Sequence, residues 1–133
     1  MKRLFILSVS LILSFTLISQ ATAQTKDDGT LRILAIGNSF SDDGTEYLPA
    51  LLENLNVKNV EVARLYVGGC TLEQHVNFYD NSEAAYKFYH SKAGENKWVE
   101  NPEKVTMQYA LAMGEWDIIT MQQASGFSGM YDS

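Results

Sequence analysis

The sequence has very little cysteine and little positive charge, and each shortage excludes a class of protein. Cys70 is the only cysteine, so no disulfide can form within the chain. Lys and Arg number 10 against 16 Asp and Glu, for a formal net charge of -6, and the sequence has no basic cluster. We therefore expect no nucleic-acid partner. Neutral substrates such as esters or sugars remain compatible with this charge.

The longest apolar run lies at the N-terminus and is too short to span a membrane. Lys2 and Arg3 precede an almost wholly apolar segment over residues 4–18, and a spanning helix needs about 20 such residues. Small residues follow at Ala21 and Ala23, in the pattern that signal peptidase recognises. The order favours a secretory signal peptide over a membrane anchor.

The predicted signal peptide covers residues 1–23, and we expect cleavage near Ala23. The mature protein is then exported, either periplasmic or extracellular, and has no contact with the membrane. Its formal net charge falls to -8, because residues 1–23 carry two basic and no acidic residues. Residues 24–30 are polar and predict a flexible segment before the folded domain.

The remaining residues alternate between strand and helix patterns. Short apolar or β-branched runs predict three strands, and the apolar pattern predicts two helices. A third helix is predicted after Thr71, which can act as its cap with Glu73 and Gln74 nearby. This alternation indicates an α/β fold with a parallel sheet. Three strands are few for a sheet, so we interpret residues 31–133 as the N-terminal part of a domain that is incomplete at its C-terminus. The predicted strands are 31–36, 60–67 and 116–121, the predicted helices are 43–55, 71–79 and 105–113, and residues 80–103 have no clear periodicity.

Each predicted strand ends in a cluster of small and polar residues. The clusters are GNSFS at 37–41, GGCT at 68–71 and QQASG at 122–126. In an open parallel sheet, ligands bind beyond the carboxyl ends of the strands, so the clusters predict one site. A serine on such a turn, with backbone N–H groups and a side-chain amide nearby, has the groups that acyl transfer requires.

Three longer phrases carry a resemblance to a known superfamily. ILAIGNSFS at 33–41, LYVGGCTLEQH at 65–75 and WDIITMQQASG at 116–126 resemble the first three sequence blocks of SGNH, or GDSL-type, hydrolases. They are most similar to an exported branch that is known as a domain of unknown function. The resemblance implies a flavodoxin-like three-layer α/β/α fold and hydrolysis of carbohydrate or lipid esters. It also implies Ser39 as the nucleophile, with the N–H groups of Ser39 and Gly69 as oxyanion donors.

The sequence departs from the SGNH pattern at several positions. The asparagine of the third block is missing, and Gln123, or Gln122 next to it, could supply the amide. Asn38 stands where the pattern has aspartate. The late Asp-x-x-His segment is not found up to Ser133. Without that base we expect little or no turnover, so a non-catalytic carbohydrate- or ligand-binding module and a truncated product without function are the alternatives.

Other reactive side chains favour structural interpretations. His75 and His90 are interpreted as polar surface residues, although His75 follows the second strand closely enough to be a candidate base. Cys70 is interpreted as a small packed side chain, with no histidine at a spacing that indicates a dyad. Ser41 or Asp42 is predicted to cap the first helix. The sequence indicates no metal site, and it lacks the glycine-rich phosphate loop of many cofactor sites.

Overall fold

The computed structural model describes residues 28–129. The predicted signal peptide and most of the segment over 24–30 lie outside the described residues. Within them, five strands and four helices follow one another along the chain. These are β1 (Leu31–Gly37), α1 (Ser39–Thr45), α2 (Leu48–Asn54), β2 (Val60–Tyr66), α3 (Leu72–Asp80), β3 (Lys87–Ser91), β4 (Val99–Glu100), α4 (Met107–Met113) and β5 (Ile118–Met121).

The strands form one mixed sheet in the order β4-β3-β2-β1-β5. The three predicted strands are present, and β1 pairs in parallel with both β2 and β5. The expectation of a wholly parallel sheet was wrong, because β3 and β4 add an antiparallel edge beside β2. Both come from the region without clear periodicity. Such short strands are defined by their partners, since five residues or fewer carry little pattern of their own.

The single helix predicted over residues 43–55 is two helices in the structure. α1 begins at Ser39, four residues before the predicted start, and ends at Thr45. α2 begins at Leu48 with Pro49 in its first turn. Proline has no N–H to bond to the carbonyl of Thr45, and its ring clashes with that carbonyl in a continuous helix. The chain therefore breaks at Glu46 and Tyr47 and starts again.

The two faces of the sheet carry different layers. Leu34 and Leu65 belong to a cluster that packs against Met107 and Ala110 of α4. Alternate residues of the strands point to the other face, where Arg64 of β2 contacts Asp42 of α1. Helices therefore lie on both sides of the sheet. No helix among residues 28–129 has the length and apolar content of a membrane span.

Candidate active site at the carboxyl edge of the sheet

The loops after β1, β2 and β5 meet at one edge of the sheet, as expected for parallel strands. β1 is central, with Gly37 opposite Tyr66 of β2 and Ile36 opposite Met121 of β5. Because the three strands are parallel, their carboxyl ends lie on the same side. Ser39, Gly69 and Gln123, the three predicted site residues, lie within a few residues of those ends. The fold therefore gathers them in one region.

Ser39 is the first residue of α1 and is exposed to solvent. Its hydroxyl makes no hydrogen bond within residues 28–129. The turn before it is tight, since a Cβ added at Gly37 would lie 2.7 Å from the Cβ of Ser41 and 3.2 Å from that of Gln122. Only glycine fits this approach. The turn holds the Ser39 hydroxyl at the surface, available to a ligand.

The prediction that Ser41 or Asp42 caps this helix was wrong, because the cap is Asn38. Its Oδ1 accepts a hydrogen bond from the N–H of Phe40 at 3.1 Å, and its side chain is almost completely buried. Asparagine is among the preferred N-cap residues. Ser39 is therefore not the cap either, and its hydroxyl has no part in holding the helix.

Gly69 shapes the loop after β2 through its backbone conformation. Its φ is 65°, in the left-handed region that glycine adopts without strain. Nothing lies within 4 Å of a Cβ added there, so the conformation and not the available space favours glycine. The N–H of Cys70 donates to the carbonyl of Val67 at 3.3 Å and closes the turn. Within the described residues, the Gly69 N–H has no acceptor and is free for a ligand.

Gln123 joins the end of β5 to the start of α3. Its Oε1 accepts from the N–H of Leu72 at 2.9 Å and from the N–H of Ala124 at 3.0 Å. With the carbonyl oxygen used twice, the amide orientation is set, and Nε2 has no acceptor in the part of the chain that is described. The Oε1 of Gln122 is instead buried without a partner. Of the two glutamines, Gln123 is the one whose N–H₂ is oriented by its neighbours.

His75 is fully buried, so its interpretation as a surface residue was wrong. Its Nδ1 lies 2.9 Å from the hydroxyl of Tyr86 and 3.5 Å from Sγ of Cys70. The imidazole stacks on the Tyr86 ring with centroids 5.7 Å apart. Burial lowers the pKa of His75 below its usual 6.5, which favours the neutral ring. The helix α3 turns this residue inward, and a lone polar residue in an amphipathic helix does not reveal that.

Neither His75 nor His90 forms a hydrogen bond with Ser39 within residues 28–129. The Nε2 of His75 has no hydrogen-bond partner, and its Nδ1 is taken by Tyr86 and Cys70. The Nε2 of His90 lies 2.7 Å from Oε1 of Glu61, and His90 pairs with Ala63 in the middle of β2. No serine–histidine pair is therefore formed at this edge among the described residues.

Cys70 is buried, as its interpretation as a packed side chain requires. The expectation that no histidine accompanies it was wrong, because the turn after Cys70 and the first turn of α3 bring His75 back to it. Burial raises the pKa of the Cys70 thiol to about 11. A thiol with so high a pKa is almost entirely protonated at neutral pH and is a poor nucleophile.

Arg64 is a buried cation that sequence reasoning did not select. Its Nη1 lies 2.7 Å from Oδ1 of Asp42. Its guanidinium carbon lies 4.5 Å from the ring centroids of both Tyr89 and Trp98, within range of a cation–π interaction. The sequence contained one indication of this role, since an arginine in the middle of a buried strand needs a partner for its charge. The ion pair holds α1, and with it the Ser39 turn, against the sheet.

Groups of three or more potential metal ligands are not found within residues 28–129. A cavity of about 270 Å³ lies elsewhere, lined by Phe88, His90, Tyr109, Met113 and neighbouring residues of β3, β4 and α4. None of the three loops at the carboxyl edge lines it. The cavity and the Ser39 region are therefore two separate places where a small molecule could bind.

These features describe an α/β protein that presents a serine on a strand-to-helix turn at the carboxyl edge of its sheet. Residues 32–133 match the family described as a domain of unknown function, DUF4886. The chain belongs to this family.

One solved structure is similar to the chain. It is the crystal structure of a DUF4886 family protein from Bacteroides uniformis ATCC 8492, with 38% sequence identity and a TM-score of 0.69. The match covers 77% of this chain and 39% of the other chain, so this chain spans about two fifths of the length of that relative. A comparison with curated proteins found no match.

Proposed function

We propose that this chain presents the nucleophile and the oxyanion donors of an SGNH-type ester hydrolase. The observation that carries the proposal is the meeting of Ser39, Gly69 and Gln123 at one edge, each with a free polar group. A serine hydroxyl, a backbone N–H and a side-chain amide are the components of an acyl-transfer site. The flavodoxin-like α/β/α architecture and the exported location are part of the same proposal. The parallel β2-β1-β5 core and the signal-like residues 1–23 support them.

The chemistry assigns one role to each group. Ser39 Oγ attacks the ester carbonyl carbon, its proton leaves to a base, and the carbonyl oxygen becomes an oxyanion. The N–H groups of Ser39 and Gly69 and the Nε2 of Gln123 donate to that oxygen. The tetrahedral intermediate then expels the alcohol and leaves an acyl-serine that water hydrolyses. One oxyanion donor contributes roughly 10²–10³ in rate.

The base is the missing component. Neither His75 nor His90 forms a hydrogen bond with Ser39, so no base is paired with the Ser39 hydroxyl in the described residues. A site without one triad member retains about 10³–10⁴-fold catalysis over water, from the oxyanion hole and binding. We therefore expect little or no turnover from this chain alone. The greater length of the Bacteroides uniformis relative leaves room for a base in the part of that protein that this chain does not match.

The substrate class follows from charge and exposure. The chain is acidic, which disfavours phosphorylated or polyanionic substrates. The edge at Ser39 is open to solvent. We propose a neutral ester, such as an acetylated carbohydrate or a lipid ester, as the substrate. No metal or cofactor takes part in the proposed reaction.

An external base can test the nucleophile directly. Hydrolysis of p-nitrophenyl acetate by the chain would be measured with and without imidazole, which replaces the missing base. The Ser39→Ala chain serves as the reference for the hydrolysis that imidazole itself causes. Ser41→Ala is the matched control, a hydroxyl in the same turn. We expect an imidazole-dependent rate that Ser39→Ala loses and Ser41→Ala keeps. Equal rates for the chain and Ser39→Ala would refute the proposal.

A non-catalytic ligand-binding module is the second candidate. The cavity between β3, β4 and α4 favours it, because aromatic and apolar side chains there, including Phe88 and Tyr109, meet charged residues at the rim. Small neutral sugars added to ¹⁵N-labelled protein would shift amide resonances around the cavity if this candidate is correct. Unchanged resonances up to millimolar sugar would exclude the cavity as a carbohydrate site.

A further inference from the structure

Asn38 has both ends of its side-chain amide engaged, in different directions. Its Oδ1 accepts from the N–H of Phe40 at 3.1 Å, within its own turn. Its Nδ2 donates to the carbonyl of Cys70 at 3.1 Å, 32 residues further along the chain. Asn54 and Asn81, by contrast, donate to a carbonyl of their own helix. Asn38 connects the turn after β1 to the loop after β2.

The loop after β2 is attached to the Ser39 turn at two points. At its start, the N–H of Val67 donates to the carbonyl of Gly37 at 3.0 Å. At its end, the carbonyl of Cys70 accepts from Asn38. Gly69 lies between these attachments. Its free N–H is therefore held relative to Ser39 by backbone pairing on one side and by the Asn38 amide on the other.

We propose that Asn38 is a positioning residue that keeps the oxyanion donor of Gly69 in register with Ser39. This inference rests on the proposed function. The bond from Nδ2 requires a donor, which an amide supplies and a carboxylate does not. Asparagine in place of the aspartate of the GDS pattern therefore has a physical consequence. A carboxylate at this buried position would keep the helix cap but set an oxygen against the carbonyl of Cys70.

The replacement Asn38→Asp separates the two bonds. It keeps an acceptor for the Phe40 N–H and loses the donor to Cys70 at neutral pH. The Asn38→Ala replacement loses both. The matched control is Asn54→Asp, the same chemical change at an exposed asparagine that bonds only within α2. Amide hydrogen exchange followed by NMR reports the two loops separately, through the N–H groups of Cys70 and Phe40.

At pH 7 we expect Asn38→Asp to lower the protection of the Cys70 amide at least tenfold and to leave that of Phe40 within twofold. Asn38→Ala should lower both, and Asn54→Asp neither. At pH 4, compared with the unchanged chain at the same pH, the Asn38→Asp loss should shrink. Burial favours the protonated carboxyl, which can again donate to Cys70. Unchanged Cys70 protection in Asn38→Asp at pH 7, or a loss of the same size at pH 4, would overturn the inference.

The imidazole-dependent ester assay tests whether the bond from Asn38 to Cys70 affects catalysis. Asn38→Asp should lower the Ser39-dependent kcat at least tenfold at pH 7 relative to Asn54→Asp, with a much smaller change in KM. An unchanged kcat despite lost Cys70 protection would overturn the positioning role. If the unchanged chain has no Ser39-dependent rate, the proposed function fails, and the exchange pattern still decides whether Asn38 couples the two loops.

Discussion

β1 and β5 lie side by side in the sheet and have opposite environments. Leu34 of β1 and Ile119 of β5 are partners in the same parallel ladder. Leu34 is 0% exposed and Ile119 is 50% exposed. All four residues of β5 are exposed, whereas β1 is buried from Leu34 to Gly37. Pairing with β1 positions β5, but it does not bury the side chains of β5.

The comparison shows that hydrogen bonding and burial of apolar area contribute separately to the stability of a strand. The ladder hydrogen bonds are made on both strands, while burial of apolar area belongs to β1 alone. Burial contributes roughly 25 cal/mol per Å², so the centre of the sheet should dominate the free energy of unfolding. β5 supplies Gln123 to the candidate site and depends on β1 for its position.

The largest expected effect compares the two paired residues directly. Leu34→Ala should lower the free energy of unfolding by about 2–5 kcal/mol, because it leaves a cavity in the core. Ile119→Ala should lower it by less than about 1 kcal/mol, because the side chain is half exposed. Urea unfolding followed by circular dichroism measures both. A loss for Ile119→Ala as large as that for Leu34→Ala would mean that β5 is covered in solution.

The buried part of the molecule also contains a titratable group, His75, and the free energy of unfolding of the protein should therefore depend on pH. The folded pKa of His75 is lowered by burial below 6.5, so protonation favours the unfolded chain. The stability contribution is complete above pH 6.5 and is lost as pH falls through the lowered folded pKa. His75→Gln should cost about 1–3 kcal/mol at pH 7 and flatten the pH dependence below 6.5. Thermal melts of both proteins across this range test it, and parallel curves would contradict it.

The Arg64–Asp42 pair extends the comparison to charged contacts. Asp42→Asn should cost about 1–2 kcal/mol, because it removes the charge opposite a buried guanidinium. The control is Lys87→Gln, which removes an ion pair 3.8 Å long between half-exposed side chains and should cost at most about 0.5 kcal/mol. Equal costs in urea unfolding would show that the burial of Arg64 does not strengthen its ion pair.

The smallest effect on stability is expected at the exposed edge. Ile118→Lys should change the free energy of unfolding by no more than about 0.5 kcal/mol. It should nevertheless reduce self-association, because a charge on an open apolar edge opposes strand-to-strand contact between copies. Light scattering as a function of concentration measures this. Equal scattering by the Ile118→Lys variant and the unchanged chain would show that copies of the chain do not associate through β5.

Parts of the fold were predictable because the signal is contained in a short window. The three apolar runs are strands β1, β2 and β5, with ends within two residues of the predicted ones. Thr71 caps α3 and Gln74 completes the capping box, as the local residue pattern indicated. The antiparallel strands β3 and β4 were not predictable, since their identity depends on pairing with β2 and with each other.

The candidate site also contains residues that were predictable from the sequence and residues that were not. Ser39, Gly69 and Gln123 were selected because the clusters that follow the three predicted strands resemble the sequence blocks of SGNH hydrolases. Asn38 is visible in the sequence only as a departure from the SGNH pattern, because its bond to Cys70 joins residues that are 32 positions apart. The inward position of His75 depends on the Tyr86 ring beside it, and neither residue predicts the other from sequence.

The sequence by itself determined the parallel strands, the cap of α3, and the three loops that carry Ser39, Gly69 and Gln123. Those features follow from hydrophobic period and from side-chain-to-backbone bonds over a few residues. The tertiary structure decided which polar groups are engaged: His75 with Tyr86, Asn38 with Cys70, and Arg64 with Asp42. Hydrogen bonds and ion pairs between distant segments depend on distance and angle in the folded chain, and no local pattern encodes either.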